Sequence, residues 1–100
     1  MSLEAEFTQA LEETIGAAKA RGYNPTLFTN MLQEYQGVET AKRLLAKSEP
    51  QTGLFELWRL NLLHESMEAI VIQDRFQSLF TPAEISEAKR RLEELGYFKR

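Results

Sequence analysis

The chain contains no cysteine, a single histidine and a single tryptophan, and only three prolines among its 100 residues. Without cysteine there is no disulfide, no thiolate nucleophile and no cysteine-ligated zinc or iron–sulfur site. A catalytic zinc ion needs three protein ligands, usually including two histidines, so one histidine also argues against that kind of metal site. Runs of about 18 apolar residues are absent too, and no segment is therefore predicted to cross a membrane.

Charge and length place further bounds on the function. Twelve Lys and Arg stand against fifteen Asp and Glu, and the net charge of −3 is unfavourable for a nucleic-acid binder. The chain begins Met-Ser-Leu-Glu-Ala-Glu-Phe, which is acidic where a signal peptide would be basic, so we expect no secretion signal. Together with the lack of cysteine, this favours a cytoplasmic location. One hundred residues, 43% of them hydrophobic, suffice for one globular domain.

Apolar residues recur at steps of three and four along most of the chain, as amphipathic helices require. We therefore predict an all-α single domain of five to six short helices around a central hydrophobic segment, residues 54–72. Residues 1–21 form the N-terminal helix and residues 22–98 the remaining helical core. Trp58 shares a helical face with Leu54 and Leu57, which predicts a buried indole. The first and last helices are expected to pack outside this centre.

Several local signals predict where helices begin and end. Thr81-Pro82-Ala-Glu84 has the residues of a capping box with proline at the first helical position. Glycines at 22, 37 and 96 are expected to end helices. Asn24 is the predicted cap of the second helix, and Thr52 of a helix that starts at Leu54. Residues 48–53 form the clearest predicted loop.

A set of short motifs covering roughly residues 22–97 resembles a family of small all-helical bacterial domains. The motifs are Tyr23-Asn24-Pro25-x-x-Phe28-x-x-Met31, Gly37-Val-Glu-Thr-Ala-Lys-Arg-Leu-Leu45, Gly53-x-x-x-Leu57-Trp58-x-Leu60-x-Leu62, Glu68-Ala69, Phe76-x-x-Leu79-Phe80-Thr81 and Arg91-Leu92-x-x-x-Gly96-Tyr97. Domains of this family have no established activity. The resemblance implies a module that occurs alone or attached to larger proteins, which is compatible with partner binding. His64 stands where the family pattern has a small hydroxyl cap.

No set of residues predicts catalysis. His64 and Glu68 lie one helical turn apart, but the second histidine of a zinc-binding helix is missing. Glu68 is expected to be solvated or paired with Arg59. The acidic pairs at 12–13 and 93–94 lie on outward helix faces, and there is neither a Gly-x-Ser-x-Gly elbow nor a glycine-rich phosphate loop. We therefore predict no catalytic, metal-binding or cofactor-binding residues, and no enzymatic activity.

The leading hypothesis is a non-enzymatic protein–protein interaction module, or a small subunit or adaptor of a bacterial assembly. Residues 54–63 carry more apolar side chains than a short segment usually buries in a small domain. Phe55, Leu62 and Leu63 are the predicted partner surface, for another protein or for self-association.

The alternative hypothesis is a nucleic-acid-associated regulator that uses the C-terminal basic cluster: Lys89, Arg90, Arg91, Lys99 and Arg100. On the predicted last helix Arg90 points away from the core, and Lys89 and Arg91 flank the buried stripe. Expected ion pairs of Glu87 with Arg91, Lys89 with Glu93 and Arg90 with Glu94 neutralise much of this charge. Strong DNA binding typically needs about 6–10 phosphate contacts, which makes nucleic acid the less favoured partner.

Overall fold

The computed structural model describes residues 2–48 and 52–99. These residues form the helices α1 (Leu3–Ala20), α2 (Thr26–Leu45), α3 (Thr52–Arg59), α4 (Met67–Val71) and α5 (Pro82–Glu94), with 3₁₀ helices at Leu63–Glu65 and Asp74–Leu79. No strand occurs among them. The prediction of a small all-α domain is confirmed, including the helical state of the β-branched run near position 70.

The centre of the fold is α4, in which all five residues are buried. So short a helix is not stable alone, and it forms here because α1, α5 and both 3₁₀ helices pack around it. Val71 is completely buried, as are Phe7 and Leu11 of α1. The ring of Phe7 meets the rings of Phe76 and Phe80 edge-on, with centroids 5.2 and 5.1 Å apart.

The break predicted at Gly37 exists, although the glycine serves a different purpose. The helical path of α2 is interrupted at Gln36, whose φ of 66° and ψ of −179° lie outside the helical region. Gly37 itself lies against α1, where an added Cβ would come within 2.8 Å of the Thr8 Cα. Its N–H donates to the Thr8 Oγ1 at 2.8 Å. Glycine therefore permits the close contact of α1 with α2.

Helix ends follow the sequence signals in part. Thr81 and Glu84 form the predicted capping box on α5. Gly22 and Gly96 end α1 and α5 with φ values of 87° and 77°. The prediction of Asn24 as a cap is wrong, because Pro25 occupies the cap position of α2 without a side-chain bond. Of the predicted loop, residues 49–51 lie outside the described residues.

The N-terminal ends of α3 and α4 also differ from the prediction. Helix α3 already begins at Thr52, two residues before the expected start. At α4 the capping hydroxyl is supplied by Ser66, which accepts from the Ala69 N–H at 3.1 Å. The hydroxyl expected near position 64 is therefore present two residues later, and His64 lies in the first 3₁₀ helix.

Helix α3 is the most peripheral of the five. Its inner face buries Leu54 against Ala69 and Leu92, and Leu57 against Ala18 and Leu62. The prediction that Trp58 is a core residue is wrong, because its side chain is 43% exposed. The rest of the fold covers the face of α3 that carries Leu54 and Leu57, and the face that carries Trp58 is exposed to solvent.

Candidate binding surfaces

The outer face of α3 presents two neighbouring aromatic rings. Phe55 and Trp58 are separated by three positions, which puts them on the same side of the helix. Their ring centroids lie 5.3 Å apart, with the ring planes inclined at 37°. Phe55 is 50% exposed, somewhat more than Trp58. Beside them Arg59 donates to the Glu56 carboxylate at 2.7 Å. The pair, called the aromatic face below, has the residue types that dominate protein interfaces.

Leu62 and Leu63 do not belong to this surface. Each is only 8% exposed, so the prediction that they are exposed together with Phe55 is wrong. The chain reverses at Asn61, which has a φ of 60°, and the Leu62 N–H then donates to the Leu57 carbonyl oxygen at 2.7 Å. This turn folds both leucines back beneath α3. Of the three predicted residues, Phe55 alone is accessible.

A cleft of about 320 Å³ lies on the opposite side of α3, between the C-terminal half of α1, the start of α2 and α4. Its size is at the lower end of the range for ligand pockets, about 300–1,000 Å³. Apolar side chains make up most of its wall: Leu27, Phe28, Met31, Leu54, Leu57 and Met67. Leu27 at its lip is 65% exposed, whereas Met67 and Glu68 are buried.

The Tyr23 side chain also lines the cleft. Burial raises the pKa of its hydroxyl, and the charge of Glu56 adds to the effect. The phenol therefore stays protonated at neutral pH and is available as a hydrogen-bond donor. Lys47, an exposed residue just after α2, lines the same wall.

Behind the cleft lies a buried arginine that joins three helices. Arg91 of α5 is only 6% exposed and donates through Nε to Glu87 at 2.6 Å and through Nη1 to Glu68 at 3.1 Å. Its Nη2 donates to the carbonyl oxygens of Leu44 at 3.0 Å, Leu45 at 3.4 Å and Lys47 at 2.9 Å. The guanidinium thus donates hydrogen bonds to carbonyl oxygens at the C-terminal end of α2, which have no hydrogen-bond partner within the helix. Its positive charge also lies at the negative end of the helix dipole.

The pKa values of Glu68 and Glu87 are shifted in opposite directions. Burial is the largest influence on Glu68 and raises its pKa, against the opposing effects of its own backbone N–H and of Arg91. Hydrogen bonds from Arg90, and then from Arg91, lower the pKa of Glu87 to about 2. Glu68 was expected to be solvated or paired with Arg59. That expectation is wrong, because its partner is Arg91 and Arg59 pairs with Glu56.

The predicted basic cluster is largely engaged within the protein. Arg91 is buried, so the prediction that it contacts nucleic acid conflicts with its position. Arg90 is exposed but bonds to Glu87 and Glu94, which raises its pKa. Two of the expected ion pairs are thereby confirmed, Glu87 with Arg91 and Arg90 with Glu94. Lys89 and Lys99 are exposed, and Arg100 lies outside the described residues.

The sequence did contain one signal for the buried ion pair. Glu68 is the only charged residue between Met67 and Ile72, and an acid inside such an apolar run often requires an internal partner. The partner could not be identified in the same way, since Arg91 lies 23 positions away on another helix. The cleft depends on how four helices pack and leaves no pattern in the sequence.

No group of three or more potential metal ligands occurs within residues 2–48 and 52–99. None of the described helices has both the length and the apolar character to cross a membrane. No protein-family model matches the chain, and no curated protein or solved structure matches it either. The resemblance to small bacterial domains stays a prediction.

Proposed function

We propose that this protein is a non-enzymatic protein–protein interaction module and that α3 is the element it presents to its partner. The observation that carries the proposal is the aromatic face, two large rings in contact with each other and about half exposed on the outside of the fold. Interface energy is concentrated in a few residues, with Trp and Tyr prominent among them. Covering the exposed parts of these two rings would remove apolar surface from water, which favours binding.

The size of the aromatic face favours a different protein over a second copy of this chain. A fully buried aromatic side chain removes about 150–250 Å² from water, so two half-exposed rings offer on the order of 200 Å². A stable interface needs about 800 Å² from each side. The rings are therefore anchors that enter a groove of a larger partner, as amphipathic helices do when they bind with residues spaced three or four apart.

The setting of this function is also a proposal. The resemblance to small bacterial domains favours a subunit or adaptor of a bacterial assembly, and the absence of cysteine is compatible with the cytoplasm. A nucleic-acid-associated role has less support, because Arg91 is buried and Arg90 already pairs with two carboxylates. We expect no binding of duplex or single-stranded oligonucleotides in fluorescence anisotropy at low salt.

Proximity labelling with matched variants tests the proposal. The test variant is Phe55→Ser with Trp58→Ser, and the control is Phe98→Ser, which removes an apolar ring of similar exposure from the C-terminal end of the chain, outside α3. We expect at least one protein to be labelled by the wild type and the control and lost with the double variant. Identical labelling by all three forms would contradict the proposal.

Light scattering separates the two kinds of partner. A monomer at micromolar concentration agrees with a different protein as the partner. A dimer that the double Ser variant converts to a monomer would instead assign the aromatic face to self-association and contradict the choice made here.

A further inference from the structure

Gln36 has a backbone conformation that is unfavourable for any residue with a side chain. Its φ of 66° and ψ of −179° belong to a region that is essentially restricted to glycine. The rest of α2 is helical on both sides of it, over residues 26–35 and 37–45. The strain of the bend in α2 is therefore concentrated in a single, exposed residue.

Hydrogen bonds across the bend hold Gln36 in this state. The Thr40 hydroxyl donates to the Met31 carbonyl oxygen at 3.0 Å, although nine residues of straight helix would separate the two positions by about 13 Å. The Gly37 N–H donates to Thr8 Oγ1 of α1 at 2.8 Å. A strained residue persists only where the surrounding contacts impose its conformation. Once these contacts are released, residue 36 is free to become helical and α2 to straighten.

The bend divides the described chain into two parts that pack against each other. The arm, residues 2–35, contains α1 and the first half of α2, and the body contains the described residues from 37 onwards. Phe7 of the arm contacts Phe76 and Phe80 of the body. Helix α1 also contacts α4 and both 3₁₀ helices of the body. The arm therefore buries its apolar side chains against a body.

We propose that two copies of this chain exchange their arms and form a domain-swapped dimer in which α2 is straight. Each arm packs on the body of the other copy as it packs on its own body in the monomer, so the core is rebuilt. The hinge at residue 36 changes from a strained bend to the interior of a helix. A short hinge under strain favours exchange of this kind. The dimer relieves two strained hinges but orders two molecules into one, so the concentration decides between the forms.

The exchange does not use the aromatic face. Helix α3 belongs to the body, and each swapped dimer therefore carries two aromatic faces. The inference is independent of the proposed function, because arm exchange and partner binding use different parts of the molecule. Phe55→Ser with Trp58→Ser should form the swapped dimer like the wild type, whereas it should lose the labelled partner.

Glycine and alanine at position 36 should shift the balance in opposite directions. Gln36→Gly accepts the positive φ of the bend and disfavours the straight helix, so it favours the monomer. Gln36→Ala keeps the strain of the bend and favours the straight helix, so it favours the dimer. Because each dimer contains two hinges, the dimer dissociation constants of the two variants should differ at least about tenfold.

Refolding from urea at about 1 mM and at about 10 μM, followed by light scattering, gives the dimer fraction of each form. After concentrated refolding the dimer fraction should be lowest for Gln36→Gly and highest for Gln36→Ala, with the wild type between them. Glu34→Gly and Glu34→Ala are matched controls and should dimerise equally, since this exposed residue is helical in both forms. The absence of a dimer from the wild type and Gln36→Ala, or equal fractions for the two position-36 variants, would overturn the proposal.

An isotope-filtered nuclear Overhauser experiment on the wild type distinguishes exchanged arms from any other dimer. Labelled and unlabelled chains are refolded together at high concentration, and contacts between the two kinds of chain are recorded. The rings of Phe7 and Phe76, with centroids 5.2 Å apart, belong to the arm and to the body. We expect a signal between these rings on different chains in the dimer. A dimer in which the two rings contact each other only within one chain would refute the proposal.

Discussion

Helices α3 and α4 are both rich in large apolar side chains, yet they have opposite roles in the fold. Every residue of α4 is buried, including Glu68, whereas α3 leaves Phe55 and Trp58 about half exposed. The difference lies in their surroundings. Helix α4 has α1, α5 and both 3₁₀ helices around it, and α3 rests mainly on the first 3₁₀ helix. Burial is thus decided by the number of neighbouring elements more than by the apolar content of a segment.

The largest loss of stability is expected when the contacts that join α4 to α5 and to the end of α2 are removed. Arg91→Met removes the group that joins α5 to Glu68 and to the end of α2. Breaking a buried ion pair from one side costs about 3–5 kcal/mol of unfolding free energy. Urea denaturation measures the effect. Arg90→Met on the exposed side of the same helix is the control and should change the midpoint little; equal losses would contradict the role given to Arg91.

Truncation of one side chain in each helix compares them directly. Ile70→Ala in α4 should lower the unfolding free energy by about 2–5 kcal/mol, the usual cost of a large-to-small change in a core. Trp58→Ala in α3 should cost clearly less, although it removes more atoms, because much of the indole is in water. Thermal or urea unfolding gives both values. A larger loss of unfolding free energy for Trp58→Ala than for Ile70→Ala would contradict the placement of α4 at the centre of the fold and α3 at its periphery.

The close contact of α1 with α2 depends on the absence of a side chain at position 37. Gly37→Ala should destabilise the fold by about 1–3 kcal/mol, because its Cβ would lie 2.8 Å from the Thr8 Cα. Gly16→Ala is the matched control: no atom lies within 4 Å of an added Cβ, and a helix gains up to about 1 kcal/mol from this change. Circular dichroism during heating should show a lower melting temperature for Gly37→Ala and an equal or higher one for Gly16→Ala.

The two carboxylates beside Arg91 should give opposite dependences on pH. The pKa of Glu87 is lowered to about 2 from the ordinary 4.5, so its contribution is complete above 4.5 and is lost as the pH falls towards 2. The pKa of Glu68 is raised from the same value, so the folded state binds its proton more strongly and is penalised as the pH rises above 4.5. Glu87→Gln should weaken the loss at acid pH.

Glu68→Gln should by the same reasoning weaken the decline of stability above pH 4.5, where the wild type must ionise a buried acid. Urea unfolding at a series of pH values measures both slopes. If Glu68→Gln leaves the slope above pH 4.5 unchanged, burial does not raise the pKa of this carboxyl group.

Local sequence patterns predicted the elements of this fold better than their arrangement. The capping box at Thr81, the glycine ends at positions 22 and 96 and the helix–helix break near 37 were all readable, because each depends on a few neighbouring residues. The burial of Leu62 and Leu63 was not, because it follows from a reversal at Asn61 with positive φ. The spacing of apolar residues correctly placed Trp58 on a helix. Whether its side of the helix is buried depends on the packing of the other helices, which the spacing does not reveal.

The candidate site was still less predictable. Phe55 was identified from the surplus of apolar residues, but its neighbour Trp58 was assigned to the core. The cleft and the contact of Glu68 with Arg91 join segments that are far apart in the chain, and a single sequence gives no information about such pairs. The buried acid in an apolar run indicated that a partner was needed without indicating which one.

The fluorescence of Trp58 tests the central claim most directly, because it is the only tryptophan in the chain. The native protein is titrated with acrylamide and compared with the same protein unfolded in urea. An indole on the outer face of α3 predicts a red-shifted native emission and a quenching constant that approaches that of the unfolded chain. A blue-shifted emission that acrylamide hardly quenches would show a buried indole and contradict the account.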